Sequence, residues 1–380
     1  MHRRPLILAL AAAGLGARSP ASRAATAVSA GAGPELLFGQ SAVLSGPLGQ
    51  PVLQFNAGAR LAFDEFNAAG GLHGRRLRLL SLDDGLSPER ALANVHALLR
   101  EHKVFGLFGC TGSATTAAME PLLRDTGVPA FGGYAVADSV RLRSRGVAYF
   151  VRASYGREAA TLVRHLTTIG VARIGVAHLA NPGGEEVLRL LGAALAEHRL
   201  EPAVSAAVAL DGSNVTEAAR KLAALQPQAV VMFLGGQLAA DLMNQMGQRR
   251  LHTAFYGMSI SGGELAAAKL GQRARGLTLA QIVPSPDSAV DPAILAYRRL
   301  AETAQVSNDH FSLEGYLTAR VLIEALRRGP QEPSRARLHA TLRGLQMRIA
   351  GLDLDFTLDG HTGSRYVDLV QLSEDGRFIR

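Results

Sequence analysis

The chain has 380 residues, a formal charge of +8, 48% hydrophobic and 19% charged residues, a globular composition that excludes disordered and fibrous classes and suits roughly two or three domains. Four arginines (Arg3, Arg4, Arg18 and Arg23) stand in an N-terminal stretch without acids, and the 36 basic residues that remain against 32 acidic ones form no stripe suited to nucleic acid. The single cysteine, Cys110, excludes a disulfide framework, a cysteine-based zinc site and an iron–sulfur cluster.

In chain order, residues 1–27 read as a signal peptide: His2-Arg3-Arg4, an apolar run from Pro5 to Ala17, then small residues with cleavage expected near Ala24 to Ala27. The run is about 13 residues, short of the roughly 20 that span a bilayer. Export from the cytoplasm is the expectation. Arg3-Arg4 permits a twin-arginine route besides the general one. No cysteine follows that would carry a lipid.

From Glu35 the pattern alternates between strand and helix. Glu35 to Ala42 is a strand ending at Leu44-Ser45-Gly46-Pro47, and Ala59, Ala62, Phe63 and Phe66 repeat at helical spacing before Gly70-Gly71. Arg76 to Leu82 is a strand, and Ser87-Pro88 open the next helix as cap and first residue. Val104 to Phe108, Ser113 to Arg124 and Val128 to Phe131 continue as strand, helix and strand. The rhythm restarts after Arg152: strands Arg173 to Leu179, Ala203 to Leu210 and Ala229 to Leu234, with helices Glu185 to His198, Thr216 to Leu225 and Leu238 to Gln248 between or after them. Pro284-Ser285-Pro286 marks a boundary, followed by helices at about 292–304 and 311–328 and strands Leu352 to Thr357 and Tyr366 to Leu372. Two βαβ arrays of this kind predict α/β architecture: two doubly wound parallel-sheet lobes, with ligand at the carboxyl ends of the strands.

Several motifs carry a resemblance. Ser45-Gly46-Pro47, the segment from Asp64-Glu65-Phe66-Asn67 through Gly70-Gly71-Leu72-His73-Gly74-Arg75, Asp83-Asp84 with Ser87-Pro88, Phe108-Gly109, Val128-Pro129, Tyr149-Phe150-Val151-Arg152 and Arg275-Gly276-Leu277 stand in the order seen in the leucine/isoleucine/valine-binding protein family. The chain resembles these type I periplasmic substrate-binding components of ABC transporters over most of residues 35–330. The resemblance implies two lobes joined by a three-strand hinge and closing on a small molecule. Lobe one would comprise 35–153 and about 283–364, and lobe two 154–282 and about 365–380.

Carried over residue by residue, the family's carboxylate-binding serine matches Ser113, where a hydroxyl and free amides at a helix start suit an anion; the bland alternative is a helix cap. The family's alanine-any-threonine segment falls at Tyr134-Ala135-Val136, without the threonine. Its tyrosine is replaced around Asn181-Pro182-Gly183, Gln237 follows Gly235-Gly236 on a cleft-facing loop, and Ser259 stands where an acid pairs with an amino-acid ammonium. The expected ligand residues are therefore Ser113, Tyr134, Ala135, Val136, Asn181, Gln237 and Ser259, and the expected solute is a carboxylate or amide rather than a zwitterion.

Catalytic readings are weaker. Gly257-Met258-Ser259-Ile260-Ser261 nearly makes a nucleophile elbow but has Ser261 where the turn needs glycine. Gly109-Cys110-Thr111-Gly112-Ser113 lacks the lysine of a phosphate loop and the third glycine of a dinucleotide fingerprint. The scattered histidines form no His-Glu-x-x-His or His-x-His arrangement. The expectation is a monomeric, non-enzymatic binding protein without metal or cofactor, partnered by a small solute and an inner-membrane ABC permease. A ligand-sensing module of the same fold, or less plausibly a serine hydrolase, is the alternative.

Overall fold

The computed structural model describes residues 35–248, 252–359, 361–373 and 378–379; the signal peptide expected at 1–27 lies outside the described residues. The chain begins β1 (Glu35–Ala42), α1 (Gly49–Ala68), β2 (Arg76–Asp83), α2 (Pro88–Arg100), β3 (Gly106–Phe108), α3 (Ser113–Thr126), β4 (Ala130–Phe131), α4 (Asp138–Arg143) and β5 (Ala148–Tyr149). These five strands form one parallel sheet in the order β2-β1-β3-β4-β5. Such crossovers place helices on both faces and leave strand carboxyl ends along one rim.

A second array follows: α5 (Tyr155–Thr168), β6 (Ile174–Leu179), α6 (Pro182–Ala196), β7 (Val204–Val208), α7 (Val215–Ala224), β8 (Ala229–Phe233), α8 (Gly236–Gly247), β9 (Ala254–Gly257), α9 (Gly263–Leu270) and β10 (Thr278–Gln281). The chain then forms α10 (Pro292–Thr303), α11 (His310–Arg328) and α12 (Arg335–Arg343), a hairpin of β11 (Gln346–Ile349) and β12 (Leu352–Asp355), and finally β13 (Asp368–Leu372) and β14 (Phe378–Ile379). The second sheet has the order β14-β13-β10-β9-β8-β6-β7. Its β13 and β14 run antiparallel, so a mixed edge completes an otherwise parallel sheet.

Each sheet has its own apolar core. In lobe one, α1 and α11 pack Phe55, Phe63, Leu313, Tyr316 and Leu317 against Phe38 and Phe108, while Val95, Leu98, Leu107 and Met119 fill the opposite face of the sheet. In lobe two, Val176, Val230, Val231, Met232, Leu242 and Leu279 sit in one cluster. The apolar run of β8, and of β6 apart from the buried His178, follows from burial on both faces. The chain crosses from the first sheet to the second after β5, back after β10, and over again between β12 and β13. The first and third crossings are hydrogen-bonded to each other, Phe150 N to His361 O, Gly363 N to Phe150 O and Ser364 N to Val151 O.

A cavity between the two sheets

Between the lobes, at the carboxyl ends of both sheets, lies a cavity of about 340 Å³, within the roughly 300–1,000 Å³ of small-molecule sites. Its walls are the segments that leave the strands. Val43, Leu48, Pro51 and Val52 follow β1; Leu86 and Pro88 follow β2; Thr111 to Thr115 follow β3; Tyr134 and Ala135 follow β4. Lobe two supplies Leu179 and Asn181 to Gly183 after β6, Leu210 after β7, Phe233 and Gly235 at β8, and Ile260 after β9. No charged side chain lines this cavity among the described residues.

Besides Thr111 and Tyr134, the polar groups that reach it come from helix starts. The cavity wall contains the first residues or caps of α1, α2, α3, α6 and α8. The first amides of a helix have no partner within it, and its dipole places partial positive charge there. In α3 the cap is Gly112, whose φ of 96° frees Ser113 from the capping role. Ser113 Oγ instead accepts Ala137 N–H at 2.9 Å, which leaves the hydroxyl proton to donate. In α6, Asn181 is the cap: its Oδ1 accepts Gly184 N–H at 2.8 Å, and Pro182 occupies the first turn. The Asn181 amide hydrogens remain to be donated.

The lobes touch across this space. A Cβ placed on Gly183 would lie 3.0 Å from Ser113 Oγ, and one on Gly235 would lie 2.6 Å from Leu48 Cδ2. Both glycines belong to lobe two and both neighbours to lobe one, so each marks a close approach that a side chain would obstruct.

The cavity brings together four of the seven expected residues: Ser113, Tyr134, Ala135 and Asn181. Ala135 has a φ of 55°, a left-handed conformation rare outside glycine. The other three lie elsewhere. Val136 is fully buried in a small cluster with Val140 and Phe150, because the chain turns from the cavity into lobe one as it approaches α4. Gln237 is exposed and donates to Asp241, one helical turn on. Ser259 is 5% exposed and lies behind the cavity wall, where its amide and hydroxyl donate to the two oxygens of Glu158 at 2.7 and 2.9 Å. Among the described residues Ser259's hydrogen-bond partners are Arg152 and Glu158, with no histidine.

Ser259 belongs to a charged cluster at the first crossing that the sequence reading did not find. Arg152 is 3% exposed. It donates to Ser259 Oγ, stands 3.9 Å from Glu158 and 3.7 Å from Glu314, and lies 4.8 Å from the centre of the Tyr134 ring. Burial pulls its pKa down, but Glu314, Tyr155, Tyr134 and Glu158 outweigh that effect and raise it, so it remains charged. Burial raises the pKa values of Glu158 and Glu314 against the pull of the arginine. Beside Arg152, Arg141 donates to Val136 O and Arg152 O. The one sequence cue was an arginine ending the apolar run Val147 to Val151. Cys110, at the end of β3, is buried and its thiol pKa is pushed up to about 12 by that burial.

Comparison with known proteins follows this architecture. The model of a family described as periplasmic binding protein matches residues 37–377. The chain is 30% identical over 141 residues to Leu/Ile/Val-binding protein homolog 7 of Brucella abortus, a match that covers 36% of this chain and 35% of that protein; the chain thus spans about a third of the length of the curated relatives it matches. Among solved structures it is similar to a substrate-binding periplasmic protein from Ralstonia solanacearum (29% identity, TM-score 0.85, covering 91% of this chain and 99% of that one). It is also similar to a possible leucine/isoleucine/valine-binding protein from Rhodopirellula baltica (27% identity, TM-score 0.83, covering 92% and 97%). Among the described residues no helix is long and apolar enough to cross a membrane.

Proposed function

We propose, because the chain belongs to the periplasmic binding protein family and shares the fold of its leucine/isoleucine/valine-binding members, that it is the solute-binding component of an ABC transporter and captures an apolar-bodied small molecule with one carboxylate or amide head. It performs no chemistry: it holds and releases. The observation that carries this reading is the uncharged, largely apolar cavity into which the starts of helices from both lobes project. An anionic or amide head would take the Ser113 hydroxyl, the Asn181 amide and the free amides of α3 and α6. The body of the solute would lie against Leu48, Val52, Leu86, Leu210, Phe233 and Ile260.

The same cavity disfavours a standard amino acid. A buried ammonium needs an acid or several oxygen acceptors, and its effective desolvation cost without them is several kcal/mol. The position at which an acid was expected holds Ser259, behind the wall and committed to Arg152 and Glu158. In this reading the protein works in the periplasm, delivers to a membrane permease and acts as a monomer.

The experiment is a thermal-shift screen of the purified protein against carboxylates, amides and amino acids. A true ligand at 100 times its Kd adds about 2.7 kcal/mol of stability. Stabilisation by an aryl or branched alkyl carboxylate is expected. Stabilisation by zwitterionic amino acids alone, or steady conversion of any stabilising compound, would refute the reading.

A further inference from the structure

We infer that Glu186 is a latch that fastens the two lobes to each other and gives the ligand-free protein a populated closed state. Glu186 lies in α6, in lobe two, and is 6% exposed. A carboxylate that deeply buried needs hydrogen-bond donors. Both that it has come from the other lobe: Ser139 N–H at 2.8 Å and the Ser139 hydroxyl. Its neighbour on its own helix, Arg189, stands 3.9 Å away and is largely exposed.

The arrangement follows from the short helix α4. Its cap residue, Ala137, has no side-chain acceptor for the orphan amides of the first turn. Glu186 supplies that acceptor from across the gap, so α4 is capped by the opposite lobe. The same turn is held from two other directions. Ala137 N–H is bound by Ser113 within lobe one, and Asp138 accepts Tyr155 N–H and Gly156 N–H at 3.0 and 2.9 Å beside the first crossing. The Ser113 bond lies within lobe one, whereas the Asp138 bonds to the start of α5 join the lobes beside the first crossing. The Ser139–Glu186 pair joins them from α4 to α6.

The latch is also placed to communicate with the cavity. Glu186 lies one turn beyond Asn181–Gly183, which line the cavity opposite Ser113. A solute that draws the start of α6 toward Ser113 brings Glu186 to Ser139 in the same movement. Glu186 is thus a positioning residue that slows release without touching solute. This inference rests on the reading that the lobes close on a ligand, and its test uses none.

The test is single-molecule energy transfer between dyes on Arg60→Cys and Lys221→Cys, exposed positions in α1 and α7; the buried Cys110 thiol stays unlabelled. Without ligand the protein should show a closed population. Glu186→Ala should lower the closed-to-open ratio about 10-fold or more, the range for losing charge-assisted hydrogen bonds. Ser139→Ala, which retains the amide, should lower it less. A melting temperature within a few degrees of the parent for Ser139→Ala identifies the shift as one of closure and not of folding. An absent closed population in the parent, or an unchanged ratio in Glu186→Ala, would overturn the latch. Closure on ligand is judged separately, by whether 3-phenylpropanoate, or whichever carboxylate raises the melting temperature, shortens the distance in the parent.

Discussion

The cavity and the first crossing lie back to back, separated by the ring of Tyr134, and they are built from opposite materials. In front of the ring no charged side chain lines the cavity among the described residues. Behind it Arg141, Arg152, Glu158 and Glu314 are all buried, with Arg152 tying Glu314 of lobe one to Glu158 and Ser259 of lobe two. The full charges thus lie at the joint between lobes, and under the proposed function the solute is left to hydroxyls, amides and helix dipoles. On that reading the site would distinguish solutes by shape and by the presence of an amine more than by strength of charge.

The largest effect that would sharpen this contrast is expected at Arg152. Arg152→Met leaves two acids buried without their cation, and breaking a buried pair from one side costs about 3–5 kcal/mol. Denaturant unfolding should show that loss, and adding Glu158→Gln and Glu314→Gln to the same chain should restore much of it. A loss below about 1 kcal/mol in Arg152→Met would mean that the cluster does not hold the lobes.

On the other side of the ring, Ser113→Ala should act on ligand more than on folding. Removing a hydroxyl that donates to an anion costs roughly 1.5–3 kcal/mol, about a 10-fold to 150-fold rise in Kd. The ligand-free protein should lose only about 1 kcal/mol, for the bond from Ala137 N–H. Titration calorimetry and melting of the same variant measure both, and an unchanged Kd would remove Ser113 from the site.

The smallest effect lies away from both regions and serves as a control on pH experiments. His339, from α12, sits against Tyr149 and the Gly127 carbonyl. Burial lowers its pKa from the ordinary 6.5, against the Gly127 hydrogen bond and with help from Arg343. Above that value folded and unfolded chains are both neutral here. As pH falls below it the unfolded chain takes up the proton first, so stability declines. The melting temperature should drop between pH 7 and pH 5, and His339→Gln should shrink the drop. An identical drop in the variant would assign it to other groups.

The helices and strands of this fold were legible where local chemistry decides them. The strand Glu35–Ala42 and the Ser87-Pro88 helix start stand as the sequence predicts, the latter with Ser87 Oγ accepting Arg90 N–H. The short elements β5, α4 and β9 and the amphipathic α5 are not among the elements the sequence pattern marks. Two-residue and four-residue strands carry too little periodicity to be seen, and Asp138 and Ser139 advertise an ordinary helix start, not a contact with Glu186 forty-seven residues on. The site divides in the same way. The family resemblance points to Ser113 and Asn181, and both stand at helix starts, of α3 and α6. It does not fix the side of the loop on which Ser259 faces, because that depends on Arg152, more than a hundred residues earlier.

The central claim, that the cavity accepts an anionic head and has no place for an amine, is tested most directly by comparing two solutes of equal body by titration calorimetry: 3-phenylpropanoate and phenylalanine, which differ by one ammonium group. With several kcal/mol of unrepaid desolvation, phenylalanine should bind at least roughly 100-fold more weakly. Phenylalanine binding as tightly as 3-phenylpropanoate, or more tightly, would contradict the account.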